Sequence, residues 1–130
     1  MSDLQIKICG VKNNEIAKHA INAGANFIGF IFYEKSHRNI SIENCEQILH
    51  GIKELTIPVA VTVNPDDKLL DDLLRIGFKY IQLHGQETHE MVERIKSKYD
   101  FKIIKAFGIS SSNDLDELKK YEPFVEYFLL

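Results

Sequence analysis

Gly24-Ala25-Asn26-Phe27-Ile28-Gly29-Phe30-Ile31-Phe32 is the stretch whose reading decides the fold. It follows a run with Ile16, Ala17, Ala20 and Ile21 at helical spacing, so Gly24 stands where a helix needs a left-handed cap. The segment then continues as an almost uninterrupted apolar run of strand length. An antiparallel strand with one wet face alternates apolar and polar residues. This one does not, which points to a strand covered on both faces, as in a parallel α/β sheet. Two strand–helix steps later, Gly77-Phe78-Lys79-Tyr80-Ile81 repeats the same order of residue types, a weak internal echo of a repeated βα unit.

The same switching extends in both directions. Residues 4–9 form a strand with Leu4, Ile6 and Ile8 on one face and Gln5, Lys7 and Cys9 on the other. Residues 13–23 are a helix. Ser41 caps a second helix whose inner face is Cys45, Ile48, Leu49 and Ile52. A strand over 59–63 leads to Asn64-Pro65, with Asn64 as cap and Pro65 in the first helical position. Leu69, Leu70, Leu73 and Leu74 form the buried stripe of that helix, which Gly77 closes. A strand over 80–84, a helix over 87–99 with Met91, Val92 and Ile95 inward, a strand over 102–107 and a helix over 114–121 follow. A sixth strand begins at Val125.

Alternation of this kind allows an open doubly wound sheet or a barrel. The first loop, Gly10-Val11-Lys12, carries no Gly-x-Gly-x-x-Gly fingerprint, which argues against a dinucleotide fold. Cys9, Asn64, Gln82, His84 and Lys105 put polar groups where strands stop, and a (β/α)₈ barrel builds its site there. The expectation is a parallel (β/α)₈ TIM-barrel type of about five and a half βα units, incomplete because closure takes roughly 200 residues.

Composition narrows the function. The 130 residues read as one domain, 1–130, with no linker. The net charge of −3 is spread along the chain, which leaves no basic footprint for nucleic acid and no polybasic membrane patch. Residues 1–10 hold no apolar run of signal or membrane length. Two cysteines make no disulfide framework and fit a reducing cytoplasm. No Cys-x-x-Cys or His-x-x-x-His pair proposes a metal, no phosphate loop of the Walker type is present, and no nucleophile elbow offers a serine.

Four residues remain as candidates. Cys9, before Gly10 at a strand end, is either a small buried hydrophobe, as free cysteines usually are, or a base or nucleophile in an electropositive mouth. Cys45, on an apolar helix stripe, is core. Arg38 lies in the loop Tyr33-Glu34-Lys35-Ser36-His37-Arg38-Asn39, where it is either solvated or a bidentate grip for a carboxylate. For Lys35 and His37 the solvated reading is preferred. Gln82 and His84 share one face of a strand, as ligands for a substrate or as a hydrogen-bonded structural pair. His19, His50 and His89 fall on solvated helix faces.

Ordered blocks through the chain resemble the phosphoribosylanthranilate isomerase family. They are Lys7-Ile8-Cys9-Gly10, the stretch from Ala23 through Tyr33, Lys35-Ser36 with Arg38, Val59-Ala60-Val61 with Val63-Asn64, Tyr80-Ile81-Gln82-Leu83-His84-Gly85, Ile104-Lys105-Ala106 and Phe128-Leu129-Leu130. The resemblance implies a (β/α)₈ barrel and a cofactor-free Amadori rearrangement of a phosphorylated aminoaldose in tryptophan biosynthesis. It assigns Cys9 the base role and Arg38 the anthranilate carboxylate, and sets Gln82 and His84 along the site. Glu34 and His37 stand where the family commonly has prolines, which predicts a looser arm around Arg38. The family's acid is the aspartate after a Leu-Leu pair on strand six, whereas Leu130 is the last residue here. The glycine-rich phosphate loops of the final units are likewise absent from the sequence.

The expectation is therefore an isomerase portion that is inactive alone, as a fragment or as half of a split enzyme paired with a C-terminal half-barrel. The alternative is a non-catalytic remnant or assembly half of an eroded gene, self-associating through open sheet edges.

Overall fold

The computed structural model describes residues 4–52 and 54–130; the first three positions of the N-terminal stretch lie outside them. Among the described residues six strands alternate with five α-helices. The chain divides into two compact units, 1–61 and 62–130, and the division falls inside a strand.

The first unit holds β1 (Lys7–Cys9), α1 (Asn14–Asn22), β2 (Phe27–Phe32), α2 (Ile42–Ile52) and most of β3 (Ile57–Thr62). Every residue of β2 is buried, as its unbroken apolar run predicts. β1 pairs with β2 in parallel, Cys9 opposite Gly29. The helices bury Ala17 and Ala20 from α1, and Cys45, Ile48, Leu49 and Ile52 from α2. Ile16 lies half exposed, so the inner face of α1 is made of alanines. The apolar face read into the first strand is also wet: Leu4, Ile6 and Ile8 are all exposed.

The second unit holds α3 (Asp67–Arg75), β4 (Tyr80–Leu83), α4 (His89–Lys98), β5 (Lys102–Ala106), α5 (Ser112–Tyr121), a 3₁₀ turn (Glu122–Phe124) and β6 (Tyr127–Leu129). β4 pairs with β5, and β5 with β6, both in parallel. Phe78, Phe101, Leu70, Leu73, Ile81 and Ile103 fill the core.

Three helix starts differ from the sequence reading by two residues, and one of them is α5, which begins at Ser112 instead of 114. Asn64 does not cap α3; it adopts a left-handed φ of 45°, and Asp66 takes the cap, its carboxylate accepting the Leu69 N–H. An aspartate placed one residue beyond proline reaches the third helical amide, whereas Asn64 is two residues too early for it. Glu87 likewise does not enter α4. Thr88 caps that helix through the Met91 N–H, and Met91 is partly exposed instead of inward.

The internal echo survives at atomic detail. Gly24 and Gly77 have φ of 99° and 107°. Each N–H bonds the carbonyl three back, to Ile21 and Leu74, and the next residue bonds five back, Ala25 to Ala20 and Phe78 to Leu73. This is the Schellman stop, built twice with the same offsets.

Candidate active site

The candidate residues of the first unit lie around the end of β1. Gly10 has φ of 84°, a turn that favours glycine, and its N–H and that of Val11 both bond the Gly29 carbonyl. Cys9 is thereby fixed at the strand tip, half-buried, with its Sγ against Gly29: a Cβ there would sit 3.1 Å from the sulfur. Arg38 arrives from the other side. Its Nη1 donates a long hydrogen bond, 3.4 Å, to the Cys9 carbonyl. A Cβ on Gly10 would meet the Arg38 Cδ and Nη1 at 2.6 Å. The missing side chain is what admits the guanidinium.

The loop that carries Arg38 is closed by its own bonds. Ser36 N–H donates to the Tyr33 carbonyl, Arg38 N–H to the Ser36 hydroxyl and Asn39 N–H to the Ser36 carbonyl. Ile40 N–H then returns to Ile31 on β2. Serine turns and strand contacts supply what prolines supply by restricting φ, so the looser arm predicted from Glu34 and His37 has a local counterweight. Lys35 and His37 are exposed, and Lys12 Nζ donates to the His37 carbonyl.

In the second unit Gln82 and His84 share a face. Gln82 is buried, and its Nε2 lies 3.3 Å from His84 Nδ1. Its Oε1 is buried with no donor among the described residues. His84 is exposed at the strand tip, and its backbone N–H bonds Thr62. His84, Gly85, Ala106, Phe107 and Leu129 border a cavity of about 330 Å³.

Next to Gly85 and Ala106 of this cavity lies a pair of which the sequence reading named only Lys105. Glu87 and Lys105 form a salt bridge of 3.1 Å between side chains 0% and 3% exposed. The carboxylate also accepts the Asn64 N–H at 2.7 Å and the Gly85 N–H at 3.0 and 3.2 Å. Lys105 Nζ further donates to the carbonyls of Gly85 and Ala106. A Gly-x-Glu step before a capping threonine was the available signal: Thr88 starts the helix, which leaves Glu87 outside it. Cys45, fully buried, has its thiol pushed up to about 12 by burial, which removes it from neutral-pH chemistry. Among the described residues no group of three or more potential ligands is placed to hold a metal, and no helix is long and apolar enough to cross a membrane.

Parallel strands joined by helices, with thiol, guanidinium, imidazole and amide groups at the C-terminal strand ends, define the (β/α)₈-barrel class of protein. A family model described as N-(5'phosphoribosyl)anthranilate (PRA) isomerase matches residues 6–130, and the chain belongs to that family. The N-(5'-phosphoribosyl)anthranilate isomerase of a Chelativorans species is 38% identical over 129 residues, covering 98% of this chain and 59% of its own. That of Brucella canis is 38% identical, covering 97% and 57%. Among solved structures, phosphoribosyl anthranilate isomerase from Thermotoga maritima superposes with a TM-score of 0.84 at 33% identity, covering 95% of this chain and 62% of that one. A phosphoribosyl anthranilate isomerase in complex with reduced 1-(o-carboxyphenylamino)-1-deoxyribulose 5-phosphate also gives 0.84 at 33% identity, covering 96% and 66%. The chain thus spans somewhat over half the length of these relatives.

Proposed function

We propose that this chain carries the base and the carboxylate grip of a phosphoribosylanthranilate isomerase, acting on a small phosphorylated substrate. The observation that carries the reading is the Arg38 guanidinium seated over Gly10 beside Cys9, two residues far apart in sequence that meet at one strand tip. A guanidinium there binds the anthranilate carboxylate and leaves the sugar's C2′ toward the thiol. Protonation of the furanose ring oxygen opens the sugar to a Schiff base. Cys9, as the base, removes the C2′ proton, and the resulting enolamine tautomerises to the ketone. The positive charge on the Schiff-base nitrogen accepts the electron pair of the breaking C–H bond, so no cofactor is needed. The family resemblance gives Gln82 and His84 a substrate-orienting role.

Residues 1–130 are read as part of a single barrel domain, because the division between units falls within β3 and not in a linker. The acid and the phosphate loops are assigned to the length of the relatives that this chain does not span. The segment matching the relatives' remaining length, on the same chain or a separate one, then completes turnover. Two free cysteines fit a cytoplasmic setting.

The test follows loss of phosphoribosylanthranilate fluorescence with the chain alone and mixed with a separately made segment matching the relatives' remaining length. Turnover in the mixture, lost with Cys9→Ala and with Arg38→Ala, is the expected result. A folded chain and folded segment that associate without turnover would overturn the reading.

A further inference from the structure

We propose that Glu87 and Lys105 are positioning residues: a buried ionic clamp that sets the His84-Gly85 wall of the cavity. The inference rests on the isomerase reading only for what that wall serves.

Every polar side-chain atom of the pair is committed. Lys105 Nζ has three N–H bonds to give and three acceptors: Glu87 Oε1, the Gly85 carbonyl and the Ala106 carbonyl, at 3.0–3.1 Å. The ammonium therefore has no donor left for a substrate. The Glu87 carboxylate takes Lys105, Gly85 N–H and Asn64 N–H. The Glu87 backbone carbonyl accepts the Tyr121 hydroxyl of α5 at 2.9 Å. One carboxylate thus joins the loop after β3, the loop after β4 and the tip of β5.

Gly85 is the centre of this clamp. Both its N–H and its carbonyl end on the pair, so its peptide planes are fixed from two sides. A Cβ would meet Val63 Cγ1 at 2.9 Å and Asn64 Nδ2 and Glu87 Oε2 at 3.0 Å, so the loop is held tight against its neighbours. Gly85 follows His84 directly and borders the cavity with it. Orienting a peptide next to the imidazole orients the imidazole.

A buried pair adds little to net stability, because desolvating two charges cancels most of their attraction, and apolar replacements are often tolerated. That separates positioning from folding. In the double variant Glu87→Met with Lys105→Met the fold is retained, but Gly85 and Asn64 lose the acceptors of their N–H groups. We expect the His84 ring proton resonances to shift or broaden. Affinity for reduced 1-(o-carboxyphenylamino)-1-deoxyribulose 5-phosphate falls about tenfold or more, as misplacing an orienting group does. Glu87→Gln keeps one oxygen acceptor and restores part of both signals; it also serves as the probe if the double variant does not fold.

In the unaltered chain, the Gly85 and Asn64 amides, both outside helices and strands, exchange with solvent at least about a hundredfold more slowly than free-loop amides. Loop-like exchange of those two amides would overturn the clamp. So would variants with unchanged His84 resonances. Shifted His84 resonances in a chain whose unaltered form, mixed with the segment matching the relatives' remaining length, does not bind the analogue would support the clamp and count against the isomerase reading instead.

Discussion

Arg38 reaches the Cys9 carbonyl across a residue with no side chain. Its Nη1 lies 3.4 Å from that oxygen, and any Cβ on Gly10 would lie 2.6 Å from the same nitrogen. Two requirements meet at Gly10, a left-handed φ of 84° and an empty space, and only glycine satisfies both.

Gly10→Ala therefore separates backbone strain from placement of the guanidinium. The left-handed conformation costs an alanine about 1–2 kcal/mol, which urea denaturation reads. Arg38 is long and flexible, so it swings aside instead of unfolding the turn, and the carboxylate grip is lost with it. Affinity for the reduced product analogue falls about tenfold, as loss of one charge-assisted hydrogen bond implies. Unchanged affinity in a destabilised but folded variant would mean that Arg38 does not need this seat.

What the sequence disclosed of this architecture follows from how local each signal is. β2 was legible because an unbroken apolar run and a glycine stop are adjacent in the chain. The start of α3 was misread by two residues, since Asn64 and Asp66 are both good caps and only the turn geometry chooses between them. Cys9 and Arg38 were each visible as candidates, but their meeting depends on the Gly10 turn and on the bonds that close residues 33–39. Glu87 was hidden for a different reason. A glutamate ahead of an amphipathic helix reads as a solvated first-turn acid, and its burial is imposed by Lys105 from another strand.

The two cysteines should differ sharply toward an alkylating reagent at neutral pH. Cys9 is half-buried at a strand tip, whereas Cys45 is fully enclosed with its thiol pushed up to about 12. Mass spectrometry of the native chain treated with iodoacetamide is expected to find the adduct on Cys9, with Cys45 modified only in denaturant. Modification of Cys45 at a comparable rate would mean that α2 opens readily.

The doubled helix stop predicts matched costs. Nothing lies within 4 Å of a Cβ at Gly24 or at Gly77, so alanine there meets no clash and only the left-handed φ is penalised. Gly24→Ala and Gly77→Ala are each expected to destabilise by about 1–2 kcal/mol in urea melts. A cost near zero at either position would show that its last turn rearranges to escape the strain.

Asp67 sets an acid limit on stability. Its carboxylate accepts the Tyr99 hydroxyl at 2.6 Å and both nitrogen–oxygen contacts of Arg94 at 2.7–2.9 Å, with Lys98 at 3.3 Å. The tyrosine hydrogen bond first, then Arg94, draws its pKa down to about 2. An unfolded aspartate titrates near 3.9, so the folded state holds this proton less tightly than the unfolded chain does. The contribution to stability is therefore full above about pH 4 and disappears as pH falls toward 2. Tyr99 moves the other way, raised to about 12 chiefly by its hydrogen bond to Asp67, so its share is present below about pH 10 and fades as pH climbs toward 12. Asp67→Asn removes the ionisable partner from both ends. Melting temperatures of the variant should fall below those of the parent at pH 6 and converge with them near pH 2. Parallel curves across that range would assign the acid sensitivity to other carboxylates, and the α3–α4 cluster would then be a surface contact without thermodynamic weight.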